Sequence, residues 1–262
     1  MNGPLVLRED RGPIAILTLN RPEKRNALSR RLVAELGDAI GLAATDPTVR
    51  VLVLTNAGPT FCSGMDLKEA SDPSSSDEAQ RAAVADAQGI ADLMDAIHKS
   101  PKPTIAAARG DALAGGAGLA LACDFVLMSD AAKLGFPEVH RGLVAAIILH
   151  DLTRNVGDRR ARDLLLTGRS IAAAEAQRWG LINRSVPLGT CLEEAMSLAR
   201  SLLASAPIAT TTAKRLLDEV SSRASNLRGA AAVSAAVRVG DEAREGMMAF
   251  LEKRLPAWAD ED

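Results

Sequence analysis

Residues 61–67 read FCSGMDL and residues 110–124 read GDALAGGAGLALACD. Both put glycine and other small residues where a loop turns into a new element. Missing side chains let a ligand approach the backbone closely. The first turn of a helix also leaves N–H groups without an acceptor and lies at the positive end of the helix dipole. A loop of this kind can hold an oxyanion with no charged side chain, and two of them can supply two converging amides. For the second segment taken alone, glycines that merely allow tight helix packing are an equal alternative.

Other chemistries lack their residues. There is no G-x-x-x-x-G-K-[ST], and Leu121 stands where a dinucleotide fingerprint through Gly116 and Gly118 needs its third glycine. No serine sits in G-x-S-x-G. His98, His140 and His150 have no metal-ligand spacing with one another or with Cys62, Cys123 or Cys191, so each reads as a surface or structural histidine and no metal is expected.

The elements that must position these loops read as a layered α/β arrangement. Residues 14–19, 49–55, 104–108 and 125–128 are short and apolar, the first two rich in β-branched residues, and predict strands. Ser29 predicts the cap of a helix whose Leu32, Leu36, Ala39 and Ile40 follow the helical period. A further helix is expected from about Gly115, with Gly110 closing the strand before it. The polar run 72–78 reads as a surface loop. Beyond Ile147 strand signals nearly vanish, and Leu188, Leu192, Ala195, Met196, Ala199, Leu202 and Leu203, then Met247, Phe250 and Leu251, repeat helically. A core over 1–204 and a helical tail over 205–262 follow, with 205–207 as the boundary. No internal repeat is visible as sequence identity.

The 31 basic and 33 acidic residues of this 262-residue chain nearly cancel, with no long run of one sign, which argues against a nucleic-acid or membrane surface. An odd number of cysteines fits a reducing compartment, and no signal peptide or membrane-length apolar run is seen, so a cytoplasmic protein is expected.

Together with NRPEKRNALS at 20–29, FPEV at 136–139 and EGMMAFLEKRLPAW at 245–258, the two loops resemble the crotonase superfamily, the enoyl-CoA hydratase/isomerase family, in order and over nearly the whole chain. The resemblance implies a spiral of strand–strand–helix units with a helical tail that builds trimers, often paired into hexamers. It implies an acyl-CoA thioester as substrate, with coenzyme A as part of the substrate and no separate cofactor. By position, Ser63 and Gly115 match the family's oxyanion-hole amides, and Ser63, Gly64, Met65 and Asp66 match the thioester and pantetheine path. Arg25, Ala27 and Leu28 match the segment along CoA. Phe250 and Lys253 match tail positions that approach CoA from a neighbouring subunit.

Family hydratases resemble one another in carrying two glutamates. The second is matched by Glu138; the first position holds Gly118. Glu138 is then the catalytic acid/base, Asp66 orders its loop, and Glu69, Asp72 and Asp111 are weaker candidates for a replacement carboxylate. Hydration of a 2-enoyl-CoA is the expected reaction. Isomerisation between 3-enoyl- and 2-enoyl-CoA through one glutamate, or CoA binding with little catalysis, are the alternatives. The GLVAAIIL at 142–149 departs from a glycine-rich family pattern and leaves the acyl chain open.

Overall fold

A computed structural model describes residues 3–70, 76–220 and 227–256. Strands β1 (Val6–Arg11) and β2 (Ile14–Leu19) pair as an antiparallel hairpin and are followed by α1 (Arg30–Thr45). Three strand–strand–helix units come next. The first is β3 (Val51–Asn56) and β4 (Thr60–Cys62) with α2 (Leu67–Ala70) and α3 (Ser76–His98). The second is β5 (Thr104–Ala108) and β6 (Asp111–Leu113) with α4 (Gly115–Leu121). The third is β7 (Phe125–Ser129) and β8 (Lys133–Gly135) with a 3-10 turn, Pro137–Arg141, and α5 (Leu149–Thr167). Then follow β9 (Ser170–Ala172), α6 (Ala173–Arg178), β10 (Arg184–Val186) and α7 (Cys191–Leu203), and the tail helices α8 (Pro207–Val220), α9 (Leu227–Arg238) and α10 (Asp241–Glu252).

In every unit the first strand joins a six-stranded sheet, β1-β2-β3-β5-β7-β10, and the second joins a four-stranded sheet, β4-β6-β8-β9. From β2 onward the larger sheet is parallel, and in the smaller one only β9 runs antiparallel. The chain therefore climbs as the expected spiral, and its repeat lies in topology rather than in residue identity.

The larger sheet is covered on both sides, which is why its strands are apolar at successive positions. Ile14, Ile16, Val51, Val53, Ile105 and Leu127 pack with Cys191, Ala195, Met196 and Ala199 of α7, whereas the alternate residues Ala15, Leu17, Leu52, Leu54 and Ala106 join the main core with α1 and α3. The Ser29 hydroxyl accepts from Leu32 N at 3.2 Å and starts α1, which buries Leu32, Leu36, Ile40 and Ala43.

Two expectations are corrected and a third is refined. Two strands, β9 and β10, lie beyond Ile147; at three residues each they are too short to show an alternation. Gly110 follows a strand and a helix begins at Gly115 as expected, but a further strand, β6, lies between them, and a Cβ on Gly110 would stand 1.8 Å from Pro59 O. Ser76, Asp77 and Glu78 open α3 instead of belonging to a loop, and Asp72 lies outside the described residues. The expected boundary falls between α7 and α8. Helix α9 lies along α3, and α10 lies against the Pro137–Arg141 turn. Among the described residues no helix is long and apolar enough to cross a membrane.

Candidate functional site

The two small-residue loops meet. Leu28 and Met65 form a parallel bridge, in which Leu28 N donates to Gly64 O at 2.8 Å and Asp66 N donates to Leu28 O at 3.1 Å. In that pattern the residue between the two bonds turns its own N–H away from the partner strand. Gly64 has φ +86°, and a Cβ there would lie 2.7 Å from Ala114 Cβ and 3.2 Å from Gly115 N, so only glycine lets the loops approach this closely. Ala114, with φ 52° and ψ −131°, turns β6 into α4 and leaves Gly115 as the first helical residue. Among the described residues neither Met65 N nor Gly115 N has a hydrogen-bond acceptor.

This corrects one assignment. Ser63 N donates to Arg25 O at 3.1 Å and is already used. The amide available beside that of Gly115 belongs to Met65. The sign that could have found it is the β-bridge, since only alternate amides of such a segment face the same side.

Both residues line a cavity of about 340 Å³ that also receives Glu138, Met94, Ile148 and Arg141. Proline begins the 3-10 turn, supplying a fixed φ at the first position, and Gly142 closes it with φ 64°. Glu138 Oε2 is buried and, among the described residues, has no hydrogen-bond partner. Burial pushes the Glu138 carboxyl up to about 7, against the pull of its own backbone N–H and the Arg141 charge. At neutral pH the group therefore exchanges readily between acid and base forms.

Ser63, Arg25, Ala27 and Asp66 also line the cavity, as does Phe250. Leu28 and Gly64 sit just behind it. The lining Asp66 carboxylate pairs with Arg21 at 2.7 Å and accepts from Lys68 N, which fits a loop-ordering part. Asn26 was missed by sequence reading: fully buried at φ 51°, it donates to Ala57 O and Thr60 O and pins the loop that carries Arg25 and Ala27 to β4. Within its own chain, Phe250 reaches the cavity. Gly246 permits this, because a Cβ there would lie 2.4 Å from the Arg141 carbonyl carbon. Lys253 caps α10, exposed and away from this cavity.

Of the alternative carboxylates, the two among the described residues do not enter. Glu69 accepts from Arg30 N at 2.9 Å and Asp111 from Lys133 N at 2.8 Å, and neither lines the cavity. The histidines stay outside too: buried His98 lies 3.2 Å from Asp151, and His140 meets Thr167 O at 2.7 Å. Among the described residues no cluster suits a metal ion.

The place beside Gly118 is filled by apolar side chains. A Cβ there would lie 2.6 Å from Ile148 Cγ1 and 2.6 Å from Met94 Cε. Gly118→Ala is expected to cost about 1–3 kcal/mol through overpacking, read as a lowered urea midpoint. An unchanged midpoint would mean that Met94 and Ile148 move aside freely. Restoring a glutamate requires making room as well, for example with Met94→Ala.

The sequence profile of the family described as "Enoyl-CoA hydratase/isomerase" matches residues 9–261. A Thermus thermophilus protein named "Putative enoyl-CoA hydratase" is 41% identical over 96% of this chain and 99% of its own. The structure of an enoyl-CoA hydratase from Mycobacterium avium is 36% identical, with a TM-score of 0.83 over 98% of this chain and 100% of that one. A monofunctional enoyl-CoA isomerase from M. smegmatis is 31% identical, with a TM-score of 0.71 over 85% of this chain and 96% of that one.

Proposed function

The chain is an enzyme that belongs to the enoyl-CoA hydratase/isomerase family, the crotonase superfamily, and from that premise we propose that it hydrates a 2-enoyl-CoA with Glu138 as the sole acid/base. The observation that carries this is the Glu138 carboxyl, buried with its Oε2 unpartnered among the described residues and able to change protonation near neutrality, in the cavity lined by Met65 and Gly115. The thioester oxygen accepts from the Met65 and Gly115 amides, which draw electrons from the C2–C3 double bond and hold the enolate. Water attacks C3 and gives a proton to one Glu138 oxygen, while the proton on the other goes to C2. One water is added and the carboxyl ends as it began. Lys24 and Arg25, exposed where they line the cavity, suit the phosphates of CoA, and the chemistry calls for no cofactor.

A second reading, isomerisation, is favoured by one observation. Met94 and Ile148 occupy the place where a second carboxylate would activate water. Moving a proton from C4 to C2 needs only Glu138. Incubation with 2-enoyl- and 3-enoyl-CoA thioesters, following both product types, separates the readings. Formation of 3-hydroxyacyl-CoA from the 2-enoyl substrates is expected. Conversion of 3-enoyl substrates alone would establish isomerisation, and binding without turnover of either would overturn the catalytic reading.

For assembly, a cytoplasmic trimer or hexamer is proposed. Ile208 is 83% exposed, Leu217 67% and Val233 53%, which supports burial of the tail helices between subunits.

A further inference from the structure

Three arginines line the cavity, and of the two that sit deeper in it than the exposed Arg25 only one has a counter-charge within hydrogen-bond distance. Arg238, deeply buried on α9, pairs with Asp86 at 3.0 Å and rests against Met65 Sδ. Arg141 pairs with no carboxylate among the described residues. Its Nη1 donates to Pro137 O at 3.0 Å, its plane lies over Phe250 with 4.4 Å to the ring centroid, and its Nε is buried with no acceptor. A cation held partly out of water with an unmade donor is unfavourable unless something supplies the acceptor. Glu138 does not supply it, since its buried Oε2 and Arg141 Nε are both without a hydrogen-bond partner among the described residues.

Position narrows the choice of acceptor. Residues three apart in a 3-10 helix eclipse, so Arg141 stands on the face of the turn that carries Glu138, about 6 Å further along. That is the end of the cavity where the acyl carbons react. The loop carrying Lys24 and Arg25 supplies other cations for CoA phosphates. A guanidinium fixed by stacking and by one bond on Nη1 presents its remaining edge to a planar, two-oxygen partner.

We propose that Arg141 binds a carboxylate carried on the acyl chain, so that the substrate class is a short 2-enoyl-CoA with a second, distal carboxylate. The inference rests on the reading of this cavity as an acyl-CoA site. Binding of saturated ligands tests it without requiring turnover, so that its failure and the failure of hydration are told apart. Calorimetry would compare glutaryl-CoA, pentanoyl-CoA and free CoA on the full chain and on Arg141→Met and Arg141→Lys. The full chain is expected to favour glutaryl-CoA over pentanoyl-CoA by about tenfold or more. Arg141→Met should bring that ratio to within about threefold of one, and Arg141→Lys, which keeps the charge and loses the fork, should fall between. A full chain without the preference overturns the proposal, as does a preference that survives in Arg141→Met. Equal weakening of all three ligands in either variant would assign Arg141 to the CoA moiety and overturn it too.

Discussion

Glu138→Gln is expected to lower turnover by about two or more powers of ten while leaving CoA-thioester affinity nearly intact, because the amide keeps the shape of the side chain and cannot take or return a proton. The same substitution has an opposite effect on stability. Burial raises the folded carboxyl from its ordinary 4.5 to about 7, so the folded state binds the proton more tightly than the unfolded one. The corresponding stability is fully present below the unfolded value and is lost as pH rises through 7, an amount of about 3 kcal/mol. Glutamine has no such loss. Urea midpoints should therefore show Glu138→Gln more stable than the unaltered chain at pH 9, with the difference shrinking toward pH 4. Turnover by hydration begins from the protonated carboxyl and should fall above pH 7. Retention of full turnover, or a stability difference independent of pH, would refute the role given to this residue.

Gly115→Pro is expected to reduce turnover by about two to three powers of ten, the effect of losing one oxyanion donor. Proline is well suited to the first position of a helix, where its missing N–H breaks no bond of the helix itself. The added Cβ meets Leu28 Cδ1 at 3.4 Å, an ordinary contact. What disappears is the amide proposed to hold the thioester oxygen. Binding of the nucleotide end, for which the loop of Lys24 and Arg25 is proposed, should largely persist. Met65→Ala is the contrasting variant: it keeps the backbone donor and should retain far more turnover than Gly115→Pro. Undiminished activity in a folded Gly115→Pro protein would remove the amide from the mechanism.

These roles were unevenly visible in the sequence. The long apolar strands β2, β3, β5 and β7 were legible because a sheet buried on both faces needs uninterrupted apolar runs. The smaller sheet was not, since its three-residue strands leave no periodicity to read. Glu138 could be matched through its motif, but its raised titration depends on neighbours brought from other units. The exchange of Ser63 for Met65 shows the same limit at one residue. Both sit in FCSGMDL, and which N–H is free depends on the bond from Ser63 to Arg25 and on the bridge at Leu28. Arg141 was passed over because three residues along an unassigned segment carry no direction. A 3-10 turn gives them one. The filling beside Gly118 was equally hidden, as Met94 and Ile148 arrive from α3 and from the start of α5.

Glu138 is proposed to move a proton at C2 of a CoA thioester whose enolate is held by backbone amides. Solvent deuterium entering C2 of butyryl-CoA, followed by proton NMR in D2O, tests this whichever double-bond reaction the enzyme performs. Wash-in is expected with the unaltered protein, and its loss in Glu138→Gln. Wash-in at an equal rate in Glu138→Gln, or none with the unaltered protein while the ligand is bound, would contradict it.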